Sequence, residues 1–262
     1  MYTSKTLPKA HKCLLQKIIS FFSQDNRVLG IAASGSYAID AMDRYSDLDL
    51  VIAIDPVTYN AVMESRLDLV SQVDGYITAF TGEHVGEPRL IIALYGPELI
   101  HVDFKFVDLP SAGQRVDDAK VLWERGNSLT NVYRNTTYSY PQPDIQWIED
   151  RFWVWVHYGA TKIGRGEYFE ALEFLSFLRT TVISPLALRQ HQLTPSGVRN
   201  IEVRLPEFSA NLKTTVATPD KVALSRAFRN TISLYLELRS NERVNINHFA
   251  QERCIEYFDN EA

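Results

Sequence analysis

Cysteine is nearly absent. The 262 residues include two, Cys13 and Cys254, far apart and in no CxxC spacing. This excludes a disulfide-stapled scaffold and a thiolate zinc site. Two isolated thiols predict a reducing, cytoplasmic setting, with one disulfide between the two ends as the alternative. Long apolar runs are also missing. None approaches the ~20 uncharged residues that a membrane helix needs, so no membrane partner is expected. The first 22 residues do not read as a signal peptide, because their apolar residues recur at helical spacing and Lys17 interrupts them. Excess positive charge is lacking too: 27 Lys and Arg stand against 32 Asp and Glu, a net charge of -5. Residues 1–140 carry 13 basic and 17 acidic side chains, and residues 141–262 carry 14 and 15. A protein that grips long nucleic acid carries a basic footprint, which is not seen here. An acidic surface suits a cationic small substrate better. At 45% hydrophobic and 23% charged, the composition is that of a folded globular chain rather than a disordered or collagen-like one.

Periodicity divides the chain in two. Residues 9–23 place Leu14, Leu15, Ile18, Ile19 and Phe22 on one helical face. Strands are predicted over 28–34, 48–54, 75–80, 89–95 and 99–109, with a further short strand over 120–126. Helices are predicted over 37–43 and 57–72. In the strand over 99–109, Ile100, Val102, Phe104 and Phe106 face one way and His101, Asp103, Lys105 and Val107 the other. The polar segment 127–146, with two prolines, reads as a linker. Beyond it the patterns are helical, over 145–164, 167–190, 220–240 and 247–258. The expected fold class is α+β: a mixed sheet flanked by helices over 1–135, then an all-helical bundle over 136–262.

The chemistry concentrates in residues 32–54, AASGSYAIDAMDRYSDLDLVIAI. Gly35-Ser36 lies between a strand and a helix, where a missing Cβ lets a ligand approach the backbone and free N–H groups favour an anion. Asp47 and Asp49 flank Leu48 at the start of a strand, so period two puts both carboxylates on one face. Close carboxylates repel unless neutralised, and hard oxygen ligands suit Mg²⁺. If strands 48–54 and 99–109 are neighbours, Asp103 meets that pair. Three carboxylates could then bind two metal ions, as in-line phosphoryl displacement uses. Taken singly, a Gly-Ser turn or an Asp-x-Asp is commonly a plain turn or a solvated strand start.

Together these residues resemble the nucleotidyltransferase superfamily that includes DNA polymerase β. Its signature is a Gly-Ser turn, a short helix, an Asp-x-Asp strand and a third Asp on a later strand. The two-part layout, and the similarity of FWVWVHYGATKIGRGEYFEAL (152–172) to an aromatic helix with a lysine and an Arg-Gly-Glu turn, resemble the streptomycin-type aminoglycoside nucleotidyltransferases.

The resemblance implies a set of roles. Asp47, Asp49 and Asp103 would ligate two Mg²⁺ ions, and Gly35 and Ser36 would hold a β- or γ-phosphate of ATP or another NTP. Lys162 would reach the triphosphate. Arg44 would contact a phosphate or pair with Asp43. Where some relatives have a glutamate base this chain has Tyr158, a poor base at its ordinary pKa of ~10. Asp103 is therefore expected to double as catalytic base, with His157 and Glu167 as alternatives, although His157 reads more readily as a core residue. The expected reaction moves a nucleoside monophosphate, AMP from ATP, to a hydroxyl of a small aminoglycoside-like molecule and releases pyrophosphate. The rival readings are a non-catalytic nucleotide-binding regulator and nucleotidylation of a protein or RNA. Oligomeric state and the role of residues 190–262 stay open.

Overall fold

The computed structural model describes residues 3–262, which divide into one compact unit ending at Tyr140 and a second running from Pro141 to Ala262. The first unit is built on β1 (Val28–Ala33), β2 (Leu48–Ile54), β3 (Tyr76–Thr81), β4 (Leu90–Tyr95), β5 (Ile100–Asp108) and β6 (Lys120–Glu124). Their order across the sheet is β3-β4-β5-β2-β1-β6. Every neighbouring pair is antiparallel except β2 and β5, which run parallel. A parallel pair needs a long crossover. Here helix α3 (Tyr59–Ser71), β3 and β4 provide it.

Alternation in β2 and β5 gives the sheet two unlike faces. Leu48, Leu50, Ile52, Val102, Phe104 and Phe106 are buried against Leu14, Ile18 and Phe22 of α1 (Lys9–Gln24) and Val62 and Val70 of α3. On the opposite face Ala32, Ala53 and Val107 pack with Ala112 and with Leu129 of α4 (Ser128–Arg134). This second cover reaches Ala53 and Val107, four residues beyond Asp49 and Asp103 on their strands. The acidic end of that face therefore lies outside the small apolar cluster.

The structure revises the sequence reading in several places. The predicted helix over 37–43 is one turn, α2 (Gly35–Ala38). It stops where Asp40 takes a left-handed φ of 56° and accepts the Lys5 backbone N–H at 2.7 Å. The predicted linker over 127–146 begins with α4. Its Asn- and Thr-rich sequence has poor helix propensity. Glu124 accepts both the backbone N–H and the hydroxyl of Thr130, and Leu129 is fully buried. Tertiary contacts, not propensity, hold this turn.

In the second unit α5 (Ile145–Gly164) starts where Asp144 accepts the Trp147 N–H at 2.9 Å, a side-chain N-cap. The predicted helix over 167–190 is interrupted. α6 (Tyr168–Leu178) passes through a wider π turn, Arg179–Ile183, into α7 (Ser184–Gln190). By length and composition Tyr168–Gln190 could cross a membrane, but 56% of its apolar window is buried inside the unit. Its leucines belong to the core formed with α5 and α10 (Lys221–Ser240). Two short helices escaped the sequence patterns, α8 (Ile201–Arg204) and α9 (Pro206–Leu212), and α11 (His248–Glu261) ends the chain.

One buried charge organises this core. Glu149 accepts hydrogen bonds from Trp153 Nε1 at 3.1 Å, from the Tyr235 hydroxyl at 2.5 Å and from Arg239 at 3.0 Å. Arg239 also donates to Gln251 at 2.9 Å, which links α5, α10 and α11. Both cysteines are free.

Candidate active site

The register of β2 on β5 places Asp49 directly opposite Asp103. Parallel strands in this register turn both side chains to the same face. Asp47 lies just ahead of β2 and is half-buried, as are Asp49 and Asp103. β1 runs antiparallel to β2, so its end lies beside the start of β2. The Ser34 N–H donates to the Asp49 carbonyl at 3.0 Å and fixes the following turn against Asp49.

That turn has no room for a side chain at Gly35. A Cβ there would stand 2.2 Å from Oδ2 of Asp49, and the residue has a left-handed φ of 57°. The backbone thus passes directly over a carboxylate. Ser36 follows, and its hydroxyl is buried with no hydrogen-bonding partner among the described residues. Buried hydroxyls are ordinarily satisfied. A phosphate oxygen is a suitable acceptor for this one. Because α2 is a single turn, the case for an anion rests on Gly35 and Ser36 rather than on a helix end.

Asp103 has a neighbour to which sequence reasoning gave no role. Nε2 of His101 lies 2.7 Å from its Oδ1. The signal was present in the alternation that turns His101, Asp103 and Lys105 to one face. Among the described residues no three His, Cys, Asp or Glu side chains gather closely enough to hold a metal ion. The expected triangle of Asp47, Asp49 and Asp103 is therefore not assembled as a cage. The register pairs Asp49 with Asp103, and Asp103 is engaged by His101. Mutual repulsion of close carboxylates opposes tighter convergence. An oxygen-rich pair beside a cradle without a Cβ and a buried unpaired hydroxyl nevertheless fits a divalent cation bound with a phosphate.

Other predicted residues lie elsewhere. Arg44 donates to the Tyr45 hydroxyl and lies over its ring, 4.4 Å from the centroid. Asp43 instead accepts the Tyr45 N–H at 2.8 Å. Lys162 is paired with Glu167 at 2.7 Å and Glu170 at 3.0 Å, within the helical unit. Those two carboxylates raise its pKa. Tyr158 donates to Glu170, and that bond raises the phenol pKa further, away from service as a base. His157 is exposed and not a core histidine; its ring lies 4.5 Å from that of Tyr257. Of the aromatic residues on α5, Trp153 is buried in the core, while Trp147 meets Trp155 edge-on at the surface.

The sequence model of the nucleotidyltransferase domain family matches residues 15–89. No curated protein matches the sequence. Among solved structures, the chain is similar to an aminoglycoside 6-adenyltransferase from Bacillus subtilis, with 11% identity, 94% of this chain and 96% of that one covered, and a TM-score of 0.43. It is also similar to a nucleotidyltransferase-like protein from Exiguobacterium sibiricum 255-15, with 11% identity, 86% and 74% covered, and a TM-score of 0.36.

Proposed function

From the premise that this chain carries a nucleotidyltransferase domain, we propose that it transfers a nucleoside monophosphate, AMP from ATP, to a hydroxyl of a small cationic molecule such as an aminoglycoside. The observation that carries this reading is the stacking of the Gly35-Ser36 turn on Asp49, with Asp103 opposite on the parallel strand. Asp49 and Asp103 would hold the divalent cation, with Asp47 just ahead of β2 drawn in as it binds; the cation supplies charge neutralisation of the triphosphate and lowers the pKa of an acceptor hydroxyl.

The chain's own groups account for the other roles. The Ser36 hydroxyl donates to a phosphate oxygen of the leaving pyrophosphate, and the bare Gly35 backbone lets that phosphate sit close to Asp49. Asp103 takes the proton from the acceptor hydroxyl as the oxygen attacks the α-phosphorus in line. His101 holds the Asp103 carboxylate in place. Lys162 has its charge balanced by its own helical unit, so the reading rests on the N-terminal unit alone. The acceptor class rests on the acidic balance of residues 1–140, which favours a cation at the surface.

The test is pyrophosphate release from ATP and Mg²⁺ in the presence of a panel of aminoglycosides and neutral polyols. Release with at least one cationic acceptor, lost in Asp49→Asn, is expected. Release with neutral acceptors alone would refute the acceptor class. No release with any acceptor, together with no Mg²⁺-dependent ATP binding, would refute the transferase reading.

A further inference from the structure

The same sheet face continues past the carboxylates into a cavity. Val51 and Lys105 are register partners and stand two residues beyond Asp49 and Asp103, roughly 7 Å further along their strands. They form one wall of a pocket of ≈ 170 Å³ that Ser34, Ala112, Gln114 and Arg115 also line. Ser34 immediately precedes the Gly35-Ser36 turn, so a ligand whose phosphates rest on that turn is next to the cavity.

The lining selects among ligand chemistries. At ≈ 170 Å³ the pocket is below the ~300–1,000 Å³ of a site for a drug-sized molecule, and it suits a single ring system. Val51 and Ala112 offer apolar surface to ring faces. The Arg115 side chain is 9% exposed and lies over the Tyr133 ring at 4.0 Å. Nη2 of Arg115 donates to the Thr136 carbonyl at 3.1 Å, and its buried Nε has no hydrogen-bonding partner among the described residues. Lys105 adds a second positive group, paired with Glu87 at 3.0 Å. Asp117 also lines the pocket and Arg115 lies 3.8 Å from Asp118, so the charges around the cavity are balanced. Gln114, exposed and in the lining, carries an amide donor and acceptor side by side, the pair that reads the N6 and N7 edge of adenine.

We propose that this cavity receives the base of the nucleotide and that Gln114 selects adenine there. The inference rests on the nucleotidyl-transfer reading and adds the location and specificity of its nucleoside half. Titration calorimetry of the full chain with Mg-ATP, Mg-GTP and Mg-tripolyphosphate tests it, because tripolyphosphate engages the phosphate turn without a base. Two variants probe the cavity. Val116→Trp places an indole at the rim from a position that is 51% exposed in the native chain, and Gln114→Ala removes the amide.

Each variant is expected to weaken ATP binding at least ~5-fold, the lower end of what one bidentate base contact discriminates, and to leave tripolyphosphate binding unchanged. Gln114→Ala should also narrow the gap between ATP and GTP. Unchanged ATP affinity in both variants, in a protein that loses ATP binding on Asp49→Asn, would overturn the cavity assignment and leave the transferase reading standing. Equal losses for ATP and tripolyphosphate would also count against the cavity. If neither ligand binds the native protein, the reading of the site fails and this inference falls with it.

Discussion

The Gly35 backbone passes so close to Asp49 that a Cβ would lie 2.2 Å from its carboxylate oxygen. One residue therefore carries two constraints, a left-handed backbone and an absent side chain. Gly35→Ala should strain the turn by about 1–2 kcal/mol and push the Asp49 carboxylate out of place. Pyrophosphate release should fall on the order of 10²-fold, as when a catalytic constellation is misplaced by about an ångström. Thermal unfolding should move only a few degrees, so paired melting and activity measurements separate the two effects.

Asp49→Asn and Asp103→Asn each remove one charge from an in-register pair. Each should reduce turnover on the order of 10²–10³-fold, the usual cost of losing one preorganised electrostatic group. Asp49→Asn should not destabilise the fold, because it relieves repulsion between like charges, whereas Asp103→Asn also weakens the 2.7 Å contact with His101. Chelation by EDTA should abolish turnover of the native protein, and added Mg²⁺ should restore it. Activity that survives EDTA would contradict the role given to these carboxylates.

Glu149 and Arg239 form a buried ion pair at 3.0 Å, with side chains 2% and 11% exposed. Removing one partner leaves the other charged and largely desolvated, which costs about 3–5 kcal/mol. Glu149→Ala should lower the urea midpoint accordingly. A double change to Glu149→Leu with Arg239→Met should recover only part of the loss: no charge stays buried, but Trp153 Nε1 and the Tyr235 hydroxyl lose their acceptor. A small effect of the single variant would show that water or another acceptor satisfies Arg239.

Glu87 gives the stability a pH dependence with a definite sign. The Arg89 guanidinium, bonded through Nε and Nη2 at 2.7 Å each, and then Lys105 hold its carboxyl at about 2, below the ordinary 4.5. In the unfolded chain this carboxyl takes up its proton near 4.5, while the folded chain resists until about 2. The unfolded state therefore binds more protons across that interval, and stability falls as pH falls. The contribution is fully present above 4.5. Urea midpoints recorded from pH 6 to pH 2.5 should show a slope that Glu87→Gln reduces.

Much of this protein was legible without coordinates, wherever a short-range pattern carried the information. Period-two burial marked β2 and β5, and period-3.6 burial marked α1 and α5. The spacing of Asp47 and Asp49 also showed in the chain order, because alternation sets side-chain direction within a strand. Local patterns were weaker where neighbours supplied the stability. α4 forms because Glu124 caps it and Leu129 fills the space beneath β1, not because Asn, Thr and Ser favour a helix.

The sequence by itself determined which residues alternate, which segments are apolar enough to be buried, and that two aspartates stand at one strand start and a third within a later strand. Only the tertiary structure decided that β5 pairs with β2 in the register that sets Asp103 against Asp49, that His101 engages Asp103, and that Lys162 spends its charge on Glu167 and Glu170. The physical reason is that side-chain direction is a property of a single strand. Strand pairing and charge pairing are chosen by the packing of the whole sheet or bundle, across separations no local pattern encodes.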